Sequence, residues 1–451
     1  MKKILLLIFA SAIINLSQAQ NTWNLQKCIQ FAFENNLQLK QSMVNVQTAI
    51  INATQIKMSY LPNVSADATQ YYSFGRVLNP TSNSYESSTS VGSNTFSVNS
   101  SLPIFAGLTK HSQWVQTKYD LQAAHSESEK IRNDIALNIA AYYLSVLNAK
   151  EQLKIMQQQK KLTLIQKQQT HKLIAAGSLA EISIKDVEAT LANDELNIVT
   201  AQNNFDVGIL HLKQLLNMDV NQYLMIDTSF SNLNIVDADI DFNRTYSMAF
   251  ELQPNIKFNS IKLQSAQQNI KYYQGAMLPT LTLFGSLRTS YSDAAKKITG
   301  IDAQGNFTTE KINFNTQIDK NYGKSIGLDL SIPIYNGFQN RSALQRSKLQ
   351  VITAKLNFQI AEKQLQQDIA QAILNVKAAA AKQEAAKVLV IAQQSAFEAN
   401  TKKYEAGVIN YLDYNTSKNN LTKSLSESTN ATFDYLFKIK ILDFYQGKPM
   451  Y

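Results

Sequence analysis

Ser101-Leu102-Pro103-Ile104-Phe105-Ala106-Gly107 is written a second time, 230 residues on, as Ser331-Ile332-Pro333-Ile334-Tyr335-Asn336-Gly337. Ala176-Gly177 returns at the same offset as Ala406-Gly407. Upstream the offset is 217: Ala32-Phe33-Glu34 matches Ala249-Phe250-Glu251, and Leu61-Pro62 matches Leu278-Pro279. One unit is therefore written twice, without gaps on either side of a single 13-residue insertion. A helix cannot absorb an insertion without rotating its buried face, whereas an exposed loop can. The insertion falls between the Leu-Pro and the Pro-Ile-aromatic marks, so that interval contains a loop and the matched blocks are long helices.

The stripe Ile131, Ile135, Ile139, Tyr142, Val146, Ala149, Leu153 has spacings of 4, 4, 3, 4, 3 and 4, which is helical. Leu365, Ile369, Ala372, Val376 and Ala379 continue it in the second copy. Neither Pro nor Gly interrupts 108–176 or 338–406, each 69 residues. A helix that long measures roughly 100 Å, against about 11–12 residues for an ordinary globular helix. Long helices fit a composition with only 14 Gly and 7 Pro.

Four segments alternate with period two instead. Val64, Ala66, Ala68, Tyr72 and Phe74 oppose Ser65, Asp67, Thr69, Tyr71 and Ser73. Phe96, Val98, Ser100 and Leu102 oppose Ser97, Asn99 and Ser101. In the second copy Leu281, Leu283, Leu287 and Tyr291 form one face, as do Ile326, Leu328, Leu330 and Ile332. Such strands have one apolar and one polar face. Their loops, 77–94 and 292–322, are polar. Apolar-out, polar-in strands with long polar loops are the pattern of an outer membrane barrel with a wet lumen. Four strands cannot close a barrel, because the smallest known have eight, and open edges invite aggregation. Other copies must complete it. Two chains supply eight strands, whose interior side chains fill; three supply twelve, which a duct needs.

The first residues are an address. Lys2 and Lys3, the apolar Ile4–Ile14 and Ser17-Gln18-Ala19 predict a signal peptide at 1–19. A first repeat then occupies 20–243. Its strands are expected near 64–76 and 94–103, its helices over 107–176 and 181–217, and an equatorial segment over 219–243. The second repeat, 244–451, has strands near 280–291 and 324–333, helices over 337–406 and 411–443, and a short tail, 444–451. Pro62, Pro103, Pro279 and Pro333 mark the strand–helix junctions.

Several chemistries are excluded. Cys28 is the only cysteine, so no intrachain disulfide forms; it reads as a small buried residue of the first helix. His111, His125, His171 and His211 are scattered without the spacing of a zinc site. Asp237-x-Asp239-x-Asp241 opens like a calcium loop, but Phe242 stands where Gly is required. Gly323-Lys324-Ser325 lacks the earlier Gly of a phosphate loop and leads into a strand. The charge of +9 is spread along helices, not gathered in a basic stripe for nucleic acid. No cofactor is implied and no enzyme is expected. Tyr60, Tyr72, Phe74, Phe105, Tyr291 and Tyr335 read as interfacial girdles, with core packing the alternative for Phe105 and Tyr335.

The doubled marks, taken in order, resemble the TolC-type outer membrane efflux protein family over essentially all of 23–443. The resemblance implies a mainly α fold with a β-barrel part: a homotrimer whose twelve-stranded outer membrane β-barrel is continuous with a long periplasmic α-helical barrel, with an equatorial belt at 219–243 and 444–451. It implies an outer membrane channel of a Gram-negative cell, extending into the periplasm among outer membrane lipid. Such a channel is an exit duct for efflux of small molecules or for secretion, coupled to an inner membrane transporter through a periplasmic adaptor (membrane fusion protein). It also places two turns at the periplasmic tip, with Gly177, Ser178, Leu179, Gly407, Val408 and Ile409 as adaptor-docking residues. Ala176 and Ala406 stand where the family's Val-Gly-Leu-x-Thr-like signature has Val.

The family closes its tip with aspartate rings. The first ring position falls on Asp413; the second falls on Thr416, a departure. On the first turn Ser183 takes the equivalent place, with Asp186 three residues on. Asp413 and Asp186 are thus the constriction candidates. Three copies of Asp413 in a narrow pore attract cations; equally, Asp413 reads as a solvated aspartate at a helix start. The rival function is a periplasmic helical-hairpin adaptor or scaffold without a pore, which the doubled helix-strand-strand-helix unit disfavours.

Overall fold

A computed structural model describes residues 22–78, 85–227 and 241–448. The expected signal peptide (1–19), the loop tip 79–84, residues 228–240 of the equatorial segment, with Asp237 and Asp239, and the final residues 449–451 lie outside the described residues. The first repeat contributes α1 (Leu25–Asn35), α2 (Leu37–Met58), β1 (Asn63–Leu78), β2 (Tyr85–Ala106), α3 (Thr109–Ala175) and α4 (Ser183–Leu216). The second contributes α5 (Phe242–Leu252), α6 (Pro254–Gly275), β3 (Thr280–Ser292), β4 (Lys296–Ile301), β5 (Phe307–Lys311), α7 (Phe314–Lys320), β6 (Gly323–Ser331), α8 (Gln339–Glu405) and α9 (Tyr411–Tyr445). Each copy opens on a capped helix. The Asn24 side chain accepts from the Lys27 amide, and Asp241, whose run fails as a calcium loop, accepts from the Asn243 amide. Among the described residues no helix is long and apolar enough to cross a membrane.

The described residues form two compact units, one drawn from 47–123 and 260–357, the other from 22–46, 124–259 and 358–448. The first unit holds a four-stranded antiparallel sheet in the order β1-β2-β3-β6. Its register brings the period-two pattern into rows. Val98 lies opposite Ala66 on one side and Leu287 on the other, and Leu283 lies between Leu102 and Leu328. One face is therefore apolar and uncovered: Ile326 is 81% exposed and Leu328 62%. The opposite face is polar. There Ser286 Oγ donates to Asn99 Oδ1 (2.8 Å), and Asn99 Nδ2 donates to the Asp67 carboxylate (3.3 Å).

The structure departs from expectation here in three places. β2 does not keep to 94–103: it starts at Tyr85, inside the expected loop 77–94, and runs past the Pro103 junction to Ala106, since β3 pairs Thr280 and Leu281 with Ala106 and Phe105. Pro103 has no amide to give the ladder, and the register shifts between Pro103 and Phe105. Pro62 and Pro279 do precede β1 and β3, and Pro333 follows β6. Second, the polar segment 292–322 is not only loop. It carries the β4–β5 hairpin and α7, whose Gln317 donates to Ser292 O (2.8 Å) and accepts from the Ser292 amide (2.9 Å). Third, Phe105 and Tyr335 are 40% and 85% exposed, so neither is core within this chain.

The second unit is helical and has two apolar cores. One gathers Ile29 and Leu39 with Ile139, Tyr143, Leu212 and Leu216. The other gathers Ile256, Leu365, Ile369, Val376, Tyr435 and Leu442. All five positions of the α8 stripe are buried. On α3, Ile135, Ile139, Val146 and Leu153 are buried, but Tyr142 is 40% exposed and Tyr143 takes the inner place. The reason is its hydroxyl. A buried Tyr needs a partner, and Tyr143 Oη finds Asp227 O (2.9 Å) and Trp23 O (3.2 Å) where Trp23 bridges Ile226. Cys28 is fully buried in the same core.

Candidate functional site

The two expected tip turns have one geometry built from different side chains. α3 ends at Ala175, and Gly177 takes φ 74°. The Gly177 amide then donates to Ile174 O (2.9 Å) and the Ser178 amide to Leu173 O (2.9 Å). After α8, Gly407 takes φ 71°, its amide donates to Tyr404 O (3.0 Å), and the Val408 amide donates to Lys403 O (2.9 Å). This is the left-handed glycine cap that satisfies the last helical carbonyls. A Cβ at either glycine would meet nothing within 4 Å, so backbone conformation and not crowding selects glycine. Ser178 and Val408 are exposed, while Leu179 and Ile409 are half-buried.

The helices leaving the turns start differently. Asn410 caps α9, accepting from the Asp413 amide (2.9 Å). Ile182 precedes α4 with no side-chain cap. Asp413 and Asp186 each sit in a first helical turn and are exposed, where the helix dipole favours a negative charge. Tyr411 Oη lies 3.1 Å from Thr190 Oγ1, which ties the start of α9 to the start of α4. Around this tie Tyr404 stacks on Tyr414 at 5.0 Å, and Phe397 packs on the same ring. Burial pushes the Tyr414 hydroxyl up to about 12, with the neighbouring Tyr411 and Tyr404 adding to it. The tip end of α9 is thus fixed by aromatic packing while its carboxylate points to water.

Behind the tip lies a cluster that sequence reasoning missed. Lys418 of α9 and Asp194 of α4 are each 2% exposed, with Nζ 3.8 Å from Oδ2. Thr163 of α3 joins them: Lys418 Nζ donates to Thr163 Oγ1 (2.7 Å), which donates to Asp194 Oδ2 (2.5 Å). Gln159 Nε2 donates to Asp194 Oδ1 (2.6 Å). Burial pushes the Lys418 ammonium below its usual range, and the Asp194 carboxylate opposes that shift. Removing two charges from water costs several kcal/mol per ion, offset only when the pair is also hydrogen-bonded. The signal was present in the sequence: Gln159, Thr163, Gln166 and Thr170 follow core spacing on α3, and all four are buried.

The chain has known relatives. The family model described as Outer membrane efflux protein matches residues 28–218 and 245–437. The Outer membrane protein TolC of Escherichia coli (strain K12) is 25% identical over 444 residues, 97% of this chain and 84% of that protein. Among solved structures, CusC aligns with a TM-score of 0.78 at 14% identity, covering 94% of this chain and 92% of that one. The CmeC outer membrane channel of Campylobacter jejuni aligns with a TM-score of 0.76 at 18% identity, covering 94% and 87%.

Proposed function

The chain belongs to the outer membrane efflux protein family, and from that premise we propose how three copies of it assemble a duct, where the duct meets its partners and what narrows it. It is an outer membrane protein of the Gram-negative envelope, an exit duct for efflux or secretion and not an enzyme.

Three copies close one barrel of twelve strands, continuous with a periplasmic tube of helices. The observation that carries this is the β2–β3 pairing. It joins the outgoing strand of the first repeat to the incoming strand of the second. The repeat requires the same junction once more, from the outgoing strand of the second repeat to the incoming strand of a first. Those strands are β6 and β1, the two edges of the sheet. Within one chain they are far apart in strand order, so a second copy supplies the partner. The uncovered apolar face then meets outer membrane lipid, and the Asp67–Asn99–Ser286 face lines the lumen. A pore-less adaptor has no use for such a sheet.

The offsets also give the register. Asn99 pairs with Ser286, and their equivalents are Asp329 and Thr69. Thr69→Cys with Asp329→Cys is expected to give disulfide-linked dimers and trimers on non-reducing gels. Thr69→Cys with Leu328→Cys, which points to opposite faces, is expected to give none. Trimer cross-linking by the second pair and not the first would sink this closure.

The tip turns dock a periplasmic adaptor that couples the duct to an inner membrane transporter. Gly177, Ser178 and Leu179 form one contact, and Gly407, Val408 and Ile409 the other. The matched turn geometry and the exposed Ser178 and Val408 support this. Asp413, backed by Asp186, lines the constriction. Export depends on the signal peptide at 1–19.

A further inference from the structure

The polar face of the sheet carries a cavity of about 510 Å³ at the end away from the strand–helix junctions. That volume suits a small organic ligand better than a bare ion. Its floor is built by register. Thr95 lies opposite Ser290, and Ser93 lies between Tyr71 and Ser292. Residues two apart share a face, so these hydroxyls continue the face of Asp67, Asn99 and Ser286. Its wall is built by the segment that breaks the repeat. β6 begins at Gly323, opposite Arg288, which leaves Ser290 and Ser292 without a ladder partner on that side. α7 takes over. Gln317, 3% exposed, bonds the Ser292 backbone and donates to Ile312 O (2.9 Å), and Asn321 Nδ2 donates to Ser290 O (2.7 Å). Two cations line the cavity, Arg288 and Lys320, and no acid does. Neither makes an ion pair or a side-chain hydrogen bond among the described residues. The carboxylate in the row of Arg288, Asp67, stands beyond Ser97 and is taken by Asn99 (3.3 Å), while Asp293 accepts from the Gly92 amide (2.9 Å).

We propose that this cavity binds a small acidic sugar, one that carries a single oxyanion. Arg288 presents a planar fork that grips two oxygens of such a group, and Lys320 adds a second positive charge. The hydroxyl floor, whose members each donate and accept, meets the hydroxyls of the sugar. A bare anion leaves that floor unused, and a neutral sugar leaves the two cations unpaired. The site is not a feature of the repeat. The position equivalent to Arg288 in the first copy is Tyr71, and α7 lies in the longer loop region of the second copy. The place of the site in the assembly rests on the channel reading: there the polar face lines the lumen, and three such cavities ring the mouth farthest from the helices.

Two measurements separate the site from the channel. The first needs no channel: glucuronate, glucose and acetate are titrated calorimetrically into the purified, folded protein. Glucuronate is expected to bind saturably, acetate more weakly and glucose not at all. Arg288 and Lys320 are exposed, so their substitution leaves the fold intact. Arg288→Gln and Lys320→Gln are each expected to weaken glucuronate binding about tenfold, the worth of one hydrogen bond to a charged group. Arg288→Lys, which keeps the charge and loses the fork, should fall between. Lys324→Gln is the control, because Lys324 pairs with Leu287 on the opposite, apolar face, and it should bind as the parent does. The second measurement is planar-bilayer conductance. Glucuronate added on the loop side is expected to interrupt the current of the parent and not that of Arg288→Gln. Absent glucuronate binding, binding that both glutamine variants leave unchanged, or acetate binding as tight as that of glucuronate overturns the proposal. Binding lost in both variants supports the site even where no conductance is seen, and that absence would count against the duct alone.

Discussion

Asn410 ends the second tip turn by accepting the Asp413 amide, so one helical turn presents both a neutral cap and an exposed carboxylate. Losing a cap of this kind costs about 1 kcal/mol. Asn410→Ala is expected to lower stability by about that amount, read as a shift of the denaturant midpoint with an unchanged slope. Asp413→Ala leaves the cap in place and removes the charge. It is expected to weaken or abolish cation preference in planar bilayers at a stability cost of only about 0.5 kcal/mol, the lost interaction with the helix dipole; unchanged selectivity would leave Asp413 a solvated helix-start residue. Cys28 gives a separate test. Burial pushes its thiol up to about 12, against a small opposing pull from Lys27. The thiolate is the reactive form, so folded protein at pH 8 is expected to resist thiol reagents and to react on unfolding. A raised pKa keeps the proton on the folded form. The group therefore favours folding below 9.0 and loses that contribution as pH climbs from there toward about 12.

At the scale of elements, the turn after each outgoing strand needs glycine for two different reasons. Gly107 has φ 60°, and a Cβ there would stand 2.1 Å from Gly275 O; a Cβ on Gly275 would stand 2.2 Å from Gly107 O. Two backbones touch, so Gly275→Ala is expected to prevent the sheet unit from packing, seen as lost heat-resistant oligomer on gels. Gly337, the equivalent of Gly107, has φ 64° but open space around it. There Gly337→Ala costs only backbone strain in a single chain, of order 1 kcal/mol. A larger defect that appears on assembly would report an approaching neighbour. Helix extents were legible because 3.6-residue periodicity and the absence of Pro and Gly are local properties. The inner place of Tyr143 was not, since it depends on the carbonyls of Trp23 and Asp227 far along the chain. The hairpin and α7 in 292–322 were also hidden, because their polar side chains look like loop until Gln317 is seen to satisfy the Ser292 backbone.

For the whole molecule, the repeat is the organising fact. Written twice at constant offset, it determined the long helices, the two-faced strands and the matched glycine turns, because each is a matter of period, parity and turn chemistry within a short stretch. The tertiary structure decided which strand meets which, and hence that β1 and β6 are the edges of the sheet. It carried β2 past Pro103 and buried the polar Gln159, Thr163, Gln166 and Thr170 of α3 toward the end of that helix. It also brought Lys418 of α9 to Asp194 of α4 and Thr163 of α3. These depend on contacts between residues far apart in the chain, 255 positions in the case of Lys418 and Thr163. A lysine on a helical sequence reads as solvated surface until packing removes the water around it, and only then does its charge demand a particular partner.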